Sequence, residues 1–574
     1  MKRNITYWTE HKENVICTME EKGREIVEYS FILPELEEEE ILYLEWYETI
    51  LDIVGCWYPD CRYERIYGAD WQKQRKTMLS ISAPVYCLFN QRGENRYTLA
   101  VSEAMREVWW KIGVHEENGK FLFRLKMHLG RGKKEVKLLV NRQDMHYTES
   151  LKFVQRWWED SCKIMPAYVP QAAKMPFYST WYSYHQNLSE KELEKECELA
   201  AKLGFKGIIV DDGWQTEDSN RGYAFCGDWK PSEEKFPNMK EHVAFVHSLG
   251  LKYMLWVSVP FIGEKSKIWN RFSDKLLMYQ EDMGAGVLDI RYKEVREYLI
   301  MEYTKLVETY KLDGLKLDFI DEFYEGKHIP PYIEAMDIRD VQDALECMMT
   351  ELYEKLRGYN QDVLIEFRQK YIGPYIRKFG NILRVDDCPM SYLANKVGIA
   401  DLRILSGDTA VHSDMVMWNP DETIEEISVA LLHCFFGCLQ LSVLLNECSE
   451  DVTKVIRHYM CLAEEYFKVR LEGSFLAESP ENLYPVLCGE KENEAAVGVY
   501  EENKVIKLKS NWKKILLLNA THSKEMFIET EQDCVMHFII RDCKGEIFDN
   551  YVKHINGVIK FFVPIGGSVS LNIE

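Results

Sequence analysis

Between Pro170 and Gly473, strand-like runs alternate with helical segments, and no other feature constrains the fold as much. The runs are FYSTWYSY from Phe177, GIIVDDGWQ from Gly207, KYMLWVSV from Lys252 and LKLDFI from Leu315. They continue with VLIEFRQ from Val363, ILRVDD from Ile382, TAVHSDMVMW from Thr409 and CLQLSVLL from Cys438. Such alternation marks parallel βα units, and these eight predict a (β/α)8 barrel over residues 169–473. The first helix shows the expected grammar. Ser189 and Glu192 have capping-box spacing, Leu188 and Leu193 sit at staple positions, and Gly204 follows as the stop. Leu193, Cys197, Ala200 and Ala201 form the stripe that would cover the sheet.

At 574 residues the chain exceeds one ordinary core. Short alternating segments such as EIVEYSFIL and FLFRLKMHL fill residues 1–168 and predict an antiparallel β-sandwich domain. EEEEILYLEWYETILDI reads as a helical interruption there, with Glu37 to Glu40 as a solvated face. AAVGVY, ILLLNA and SVSLNI predict a small C-terminal β-sandwich over residues 474–574. The fold class is α/β, a TIM barrel with a β domain on each side.

The strand ends carry the chemistry, because barrels of this type place their active sites there. In LKLDFI, Leu315, Leu317 and Phe319 share one face, while Lys316 and Asp318 share the other. Alone, that pair reads as a structural ion pair. The second strand, however, ends in Asp211-Asp212-Gly213-Trp214, the fifth supplies Glu366 and Arg368, the sixth Arg384, Asp386 and Asp387, and the seventh His412 and Asp414. So many carboxylates on one rim repel one another unless a cation or a network of substrate hydroxyls compensates. Glycoside hydrolysis by a carboxylate pair uses such a rim; so does metal-assisted proton abstraction, with Lys316 as base. Trp181, Trp214, Trp229, Trp256 and Trp418 at or beyond the strand ends favour sugars, whose apolar faces stack on such rings.

These residues resemble the α-galactosidases of glycoside hydrolase family 36, in the melibiase-like clan. The resemblance rests on DDGW at Asp211, GDW and KFP between Gly227 and Pro237, LW at Trp256, K-x-D at Lys316 and R-x-x-D at Arg384. It implies a retaining exo-α-glycosidase, most simply an α-galactosidase, that needs no metal or other cofactor. Asp318 would be the nucleophile, with Lys316 keeping it ionised and donating to a substrate hydroxyl. Asp211 and Asp212 would bind the sugar's O4 and O6, Trp256 would line the pocket, and Arg384 would contact the sugar or orient the acid. The family pattern puts the acid/base at Asp387, whereas strand parity puts Asp386 on the face of Arg384. Pro389 shows the chain leaving the strand here, and Asp387 is the assignment. IEFRQKY replaces the family's small Cys- and Gly-rich loop on the fifth strand, so Glu366, Arg368 and Tyr371 would surround the sugar's O2. A transglycosylase or α-N-acetylgalactosaminidase on this scaffold, a metal-dependent lyase or isomerase, and a non-catalytic carbohydrate-binding protein are the alternatives.

The net charge of −22 argues against nucleic acid or an anionic membrane as partner, leaving a small-molecule or oligosaccharide substrate with a terminal α-linked sugar. The chain shows no signal-type apolar run and no membrane-length one. Sixteen scattered cysteines without zinc-type pairs, several in apolar runs (Cys197, Cys347, Cys434, Cys461), read as reduced core thiols in a cytoplasmic protein. A homo-oligomer is compatible with all of this.

Overall fold

The computed structural model describes residues 5–11, 14–67, 73–324 and 329–573. Its centre is a sheet of eight parallel strands in chain order: β1 (Phe177–Ser179), β2 (Gly207–Val210), β3 (Lys252–Ser258), β4 (Gly314–Asp318), β5 (Leu364–Arg368), β6 (Ile382–Arg384), β7 (Ala410–His412) and β8 (Gln440–Leu441). β8 pairs with β1, and parallel bridges His412–Cys438 and Val416–Leu441 join its other side to the β7 region. The predicted barrel is present.

Register and parity divide the barrel interior into two storeys. Phe177, Ile209, Met254, Leu364, Ile382 and Ala410 make an apolar floor, closed from below by Ala173. Two residues further along each strand, on the same face, stand Ser179, Asp211, Trp256, Lys316, Glu366, Arg384 and His412. All seven are buried. Neighbouring strands place Trp256 beside Lys316 and Lys316 beside Glu366. Charged side chains thus face the axis because the strands alternate, and the apolar alternates pack outward under the helices.

The helix Glu190–Leu203 behaves largely as its pattern requires. Leu188, Leu193, Cys197 and Ala200 are buried, and Gly204 adopts φ 99° at its end. Ser189 holds the N-cap position without a side-chain cap bond, and the Glu190 N–H donates to the Lys235 carbonyl instead. A neighbouring loop therefore does what a capping box would have done. A complete capping box forms elsewhere, between Thr423 and Glu426.

N-terminal to the barrel, a five-stranded and a six-stranded sheet share one core that includes Phe31, Leu33, Leu44, Leu99 and Leu138. The segment read as a helical interruption is the strand Glu40–Glu48, with Leu42, Leu44 and Trp46 buried on alternate positions. Glu40 is no solvated residue: it is buried and accepts the N–H groups of Glu10, His11 and Ile41. After the barrel, eight strands from Ser474 to Ile573 hydrogen-bond as one sheet. It folds over a core of Val497, Leu517, Ile528, Phe538, Phe561 and Leu571. The long strand Glu525–Arg541 pairs with three others and makes the fold-over. All 16 cysteines are free, and Cys347 and Cys461 are exposed, not core thiols.

Candidate active site

The charged storey and the strand ends above it form one connected network. At the end of β4, Asp318 accepts from Arg368 Nε at 2.6 Å, Trp256 Nε1 at 2.9 Å and its neighbour's backbone, Phe319 N, at 2.8 Å. Tyr371 Oη adds a longer bond of 3.4 Å. Burial pushes the Asp318 carboxyl up. The charges of Arg368 and Lys316, and the Trp256 hydrogen bond, outweigh it and hold the group well below the usual carboxylate range. Asp318 is a carboxylate kept ionised in a closed environment.

The expected Lys316–Asp318 ion pair is not the contact that forms. Lys316 Nζ donates to Asp211 Oδ2 at 2.6 Å, across the barrel to β2, and the direct cation on Asp318 is Arg368. Burial pulls the Lys316 ammonium down, but Asp211, with Asp318 and Glu366 behind it, keeps it above the ordinary lysine value. Asp211 is aimed by its own backbone, whose N–H donates to Thr180 Oγ1. Asp212 is gripped at both oxygens, by Gln186 Nε2 at 2.6 Å and Gln215 Nε2 at 2.7 Å. Its burial pushes the carboxyl up to about 6.

On the other side, Arg384 is the hub. Its Nη1 donates to Asp414 Oδ1 at 2.5 Å, its Nη2 to Asp387 Oδ1 at 2.9 Å, and its Nε faces Glu366 Oε1 at 3.6 Å. Asp414 also accepts from Tyr182 Oη and Cys388 N, and burial raises it to about 6. Glu366 is wholly buried, accepts from Gln440 Nε2 at 2.5 Å and is likewise raised by burial. The same Gln440 amide lies 3.1 Å from His412 Nδ1, whose Nε2 meets the Ala173 carbonyl. His412 thus belongs to the barrel's internal wiring.

Asp387 and Asp386 differ sharply. Asp387's side chain is 54% exposed, with Arg384 as its ion-pair partner among the described residues. Burial of its inner part raises the carboxyl, but Arg384 and Lys316 outweigh this and lower it. Asp386 is 22% exposed and lies between Arg62 and Arg368.

Of the tryptophans, Trp214 and Trp229 are buried packing residues, and Trp214 Nε1 donates to the Trp256 carbonyl. Trp256 and Phe319 stand against Tyr223, an aromatic wall member that the strand pattern does not reveal because it lies on the long loop after β2. Trp181 is half-buried beneath Arg221, and Trp418 is half-buried. Lys235 ties this loop down, donating to the carbonyls of Gln186 and Gly213. Among the described residues, no group of three or more His, Cys, Asp or Glu is placed to hold a metal ion.

The structure thus brings Asp211, Asp212, Trp256, Lys316, Asp318, Glu366, Arg368, Arg384 and Asp387 to one end of the barrel. Sequence reasoning did not single out Gln186, Gln215, Gln440 or Arg62. Gln215 directly follows the DDGW segment, three residues after Asp212, whereas Gln186, Gln440 and Arg62 lie 26, 74 and 324 residues from the carboxylates they meet, and none carries a local pattern.

Comparison with known proteins finds likeness in sequence over part of the chain and in fold over all of it. The Melibiase family model matches residues 164–367. The α-galactosidase Mel36A of Lactobacillus acidophilus is 30% identical over 159 residues, 26% of this chain and 21% of that protein. An α-galactosidase of Escherichia coli is 28% identical over 156 residues, 26% of this chain and 22% of its own length. The matched stretch therefore spans about a fifth of these relatives. In fold the likeness is far wider. The family 36 α-galactosidase AgaA of Geobacillus stearothermophilus superimposes with a TM-score of 0.67 at 13% identity, covering 100% of this chain and 88% of that one. Residues 164–367, which carry Asp211, Asp212, Trp256, Lys316, Asp318 and Glu366, are thus similar to the Melibiase family, in a chain with the fold of the family 36 α-galactosidases.

Proposed function

We propose that this protein is a retaining exo-α-galactosidase working by double displacement. The observation that carries the reading is Asp318, a buried carboxylate at a barrel strand end, ionised by two cations and aimed by an indole N–H. Asp318 would attack the anomeric carbon as the bond to the leaving oxygen breaks, and the carboxylic acid form of Asp387 would give that oxygen its proton. In the second step Asp387, now a carboxylate, would take a proton from water as the water attacks the anomeric carbon and frees Asp318. Asp387 suits this exchange because it is half-exposed, so that a bound substrate can cover it, and its one ion-pair contact among the described residues is Arg384. Arg384 holds it in place, and covering it with substrate would raise its proton affinity from the low value of the unliganded chain. Asp386, held between two guanidinium groups, has less freedom to reach a glycosidic oxygen.

Asp211 and Asp212, braced by Lys316 and two glutamines, would accept hydrogen bonds from the sugar's O4 and O6. Arg368 and Tyr371 fill the space beside Asp318, which supports a sugar with a plain 2-hydroxyl over a 2-acetamido group. AgaA has been crystallised with raffinose, stachyose and 1-deoxygalactonojirimycin, and raffinose-type oligosaccharides are the natural substrates to test here. Free thiols throughout support a reducing, cytoplasmic setting; no helix among the described residues is long and apolar enough to cross a membrane.

The test is a panel of aryl α-glycosides that includes the α-galactoside and the α-N-acetylgalactosaminide, with NMR of the first sugar released. Hydrolysis of the α-galactoside with α-galactose appearing first is the expected result. Initial release of the β-anomer, or turnover restricted to another glycoside, would contradict it.

A further inference from the structure

The N-terminal domain reaches the site through the loop that follows Gly55–Trp57. On that loop Arg62 Nη2 donates to Asp386 Oδ2. Asp386 Oδ1 lies 3.4 Å from Arg368 Nη1, and Arg368 Nε holds Asp318 Oδ1 at 2.6 Å. An isolated surface pair would mean little, and the Arg62 side chain is 62% exposed. Its backbone, however, is fixed. Arg62 adopts φ 47°, and its carbonyl accepts from Arg65 Nε at 2.6 Å.

Arg65 is itself wholly buried. Its Nη2 meets Asp401 Oδ2 at 2.5 Å, and its Nη1 donates to Tyr484 Oη. Tyr484 Oη donates to Asp401 Oδ1 at 2.5 Å, and Trp57 Nε1 donates to the same oxygen at 3.0 Å. Asp401 lies on the helix Tyr392–Leu405 that follows β6, and Tyr484 lies C-terminal to the barrel. Three parts of the chain therefore meet in one buried network that fixes the loop carrying Arg62.

From this geometry we infer that Arg62 and Asp386 are positioning residues, contributed from two sides of a domain boundary, that keep Arg368 on Asp318. Arg62 shares the charge of Asp386. Without it, Asp386 would keep Arg368 as its one ion-pair partner among the described residues and could swing with it, so the guanidinium that meets Asp318, Asp321 and Asp386 would lose the fixed anchor that sets its Nε on Asp318. The inference rests on Asp318 being the nucleophile.

The test is a double-mutant cycle of Arg62→Ala and Asp386→Asn, read as kcat, KM and thermal midpoint with an aryl α-galactoside. Each single variant should lower kcat roughly tenfold with KM and thermal midpoint little changed. The double variant should be no slower than Asp386→Asn alone, because both changes act through Arg368. Arg62→Lys, or guanidinium added to Arg62→Ala, should restore part of kcat. Unchanged kcat in Arg62→Ala, losses that multiply in the double variant, or a loss of thermal midpoint large enough to account for the lost activity would overturn the inference. An inactive wild-type protein would overturn the reading of Asp318 and the inference with it, whereas an active one with multiplying losses overturns the inference alone.

Discussion

Asp318 and Asp387 are the same residue type at two strand ends of one barrel, and their surroundings could hardly differ more. Asp318 is buried and takes hydrogen bonds from a guanidinium, an indole, a backbone amide and a phenol. Asp387 has half its side chain in solvent and one arginine for company. A closed, cation-rich shell fixes one protonation state, which is what a nucleophile needs. An open setting lets the protonation state change when something else enters, which is what a proton donor that later becomes a base needs. The chemistry of each carboxylate is thus set by its neighbours.

Substitutions can break this contrast. Asp318→Asn should abolish turnover, with a loss of roughly 10⁴-fold or more in kcat, while the fold, followed by circular dichroism, survives. Near-normal activity in that variant would remove the nucleophile assignment. Asp387→Ala should cost on the order of 10²–10⁴-fold for a sugar leaving group, and much less for an activated aryl one. Azide should partly restore the latter. If the Asp386 variant alone shows that leaving-group dependence and rescue, the proton donor is Asp386.

A subtler change sharpens the picture of the shared hub Arg384. Asp414 is raised from 3.8 to about 6, by burial above all. A carboxyl raised in the folded state contributes stability that is complete below its unfolded value and is lost as pH rises through its folded one. Between pH 3.8 and about 6 the wild type should therefore lose roughly 3 kcal/mol relative to Asp414→Asn, seen in urea unfolding across that window. Parallel pH profiles for the two proteins would contradict the buried, titrating Asp414. The smallest effect is expected from Trp256→Phe, which keeps the ring but removes the 2.9 Å donor to Asp318. A kcat loss of roughly tenfold follows from one charge-assisted hydrogen bond; an unchanged rate would mean that the indole only lines the pocket.

Much of this was readable in the chain because strands encode direction. Period-two alternation put Lys316 with Asp318 and Glu366 with Arg368 on inward faces, and the eight-fold alternation of runs put those faces around one axis. What the alternation does not encode is which inward group meets which. Lys316 was expected beside Asp318 and instead crosses to Asp211. Arg368 was expected near the sugar's O2 and sits on the Asp318 carboxylate. Barrel stagger and side-chain length decide these pairings, and both are three-dimensional. Glu40–Glu48 shows the opposite error: it reads as a helical interruption, yet Leu42, Leu44 and Trp46 alternate and are buried as those of a strand should be. Arg62 and Gln440 had no local signal at all, since their partners lie 324 and 74 residues away.

The central claim is that Asp318 forms a bond to the sugar. An activated fluorinated α-galactosyl substrate that slows the second step should trap the intermediate, and proteolysis with mass spectrometry should then find one added glycosyl group on the peptide carrying Asp318. Label on Asp387, Glu366 or Asp211, or turnover that leaves no label on the protein at all, would contradict the account.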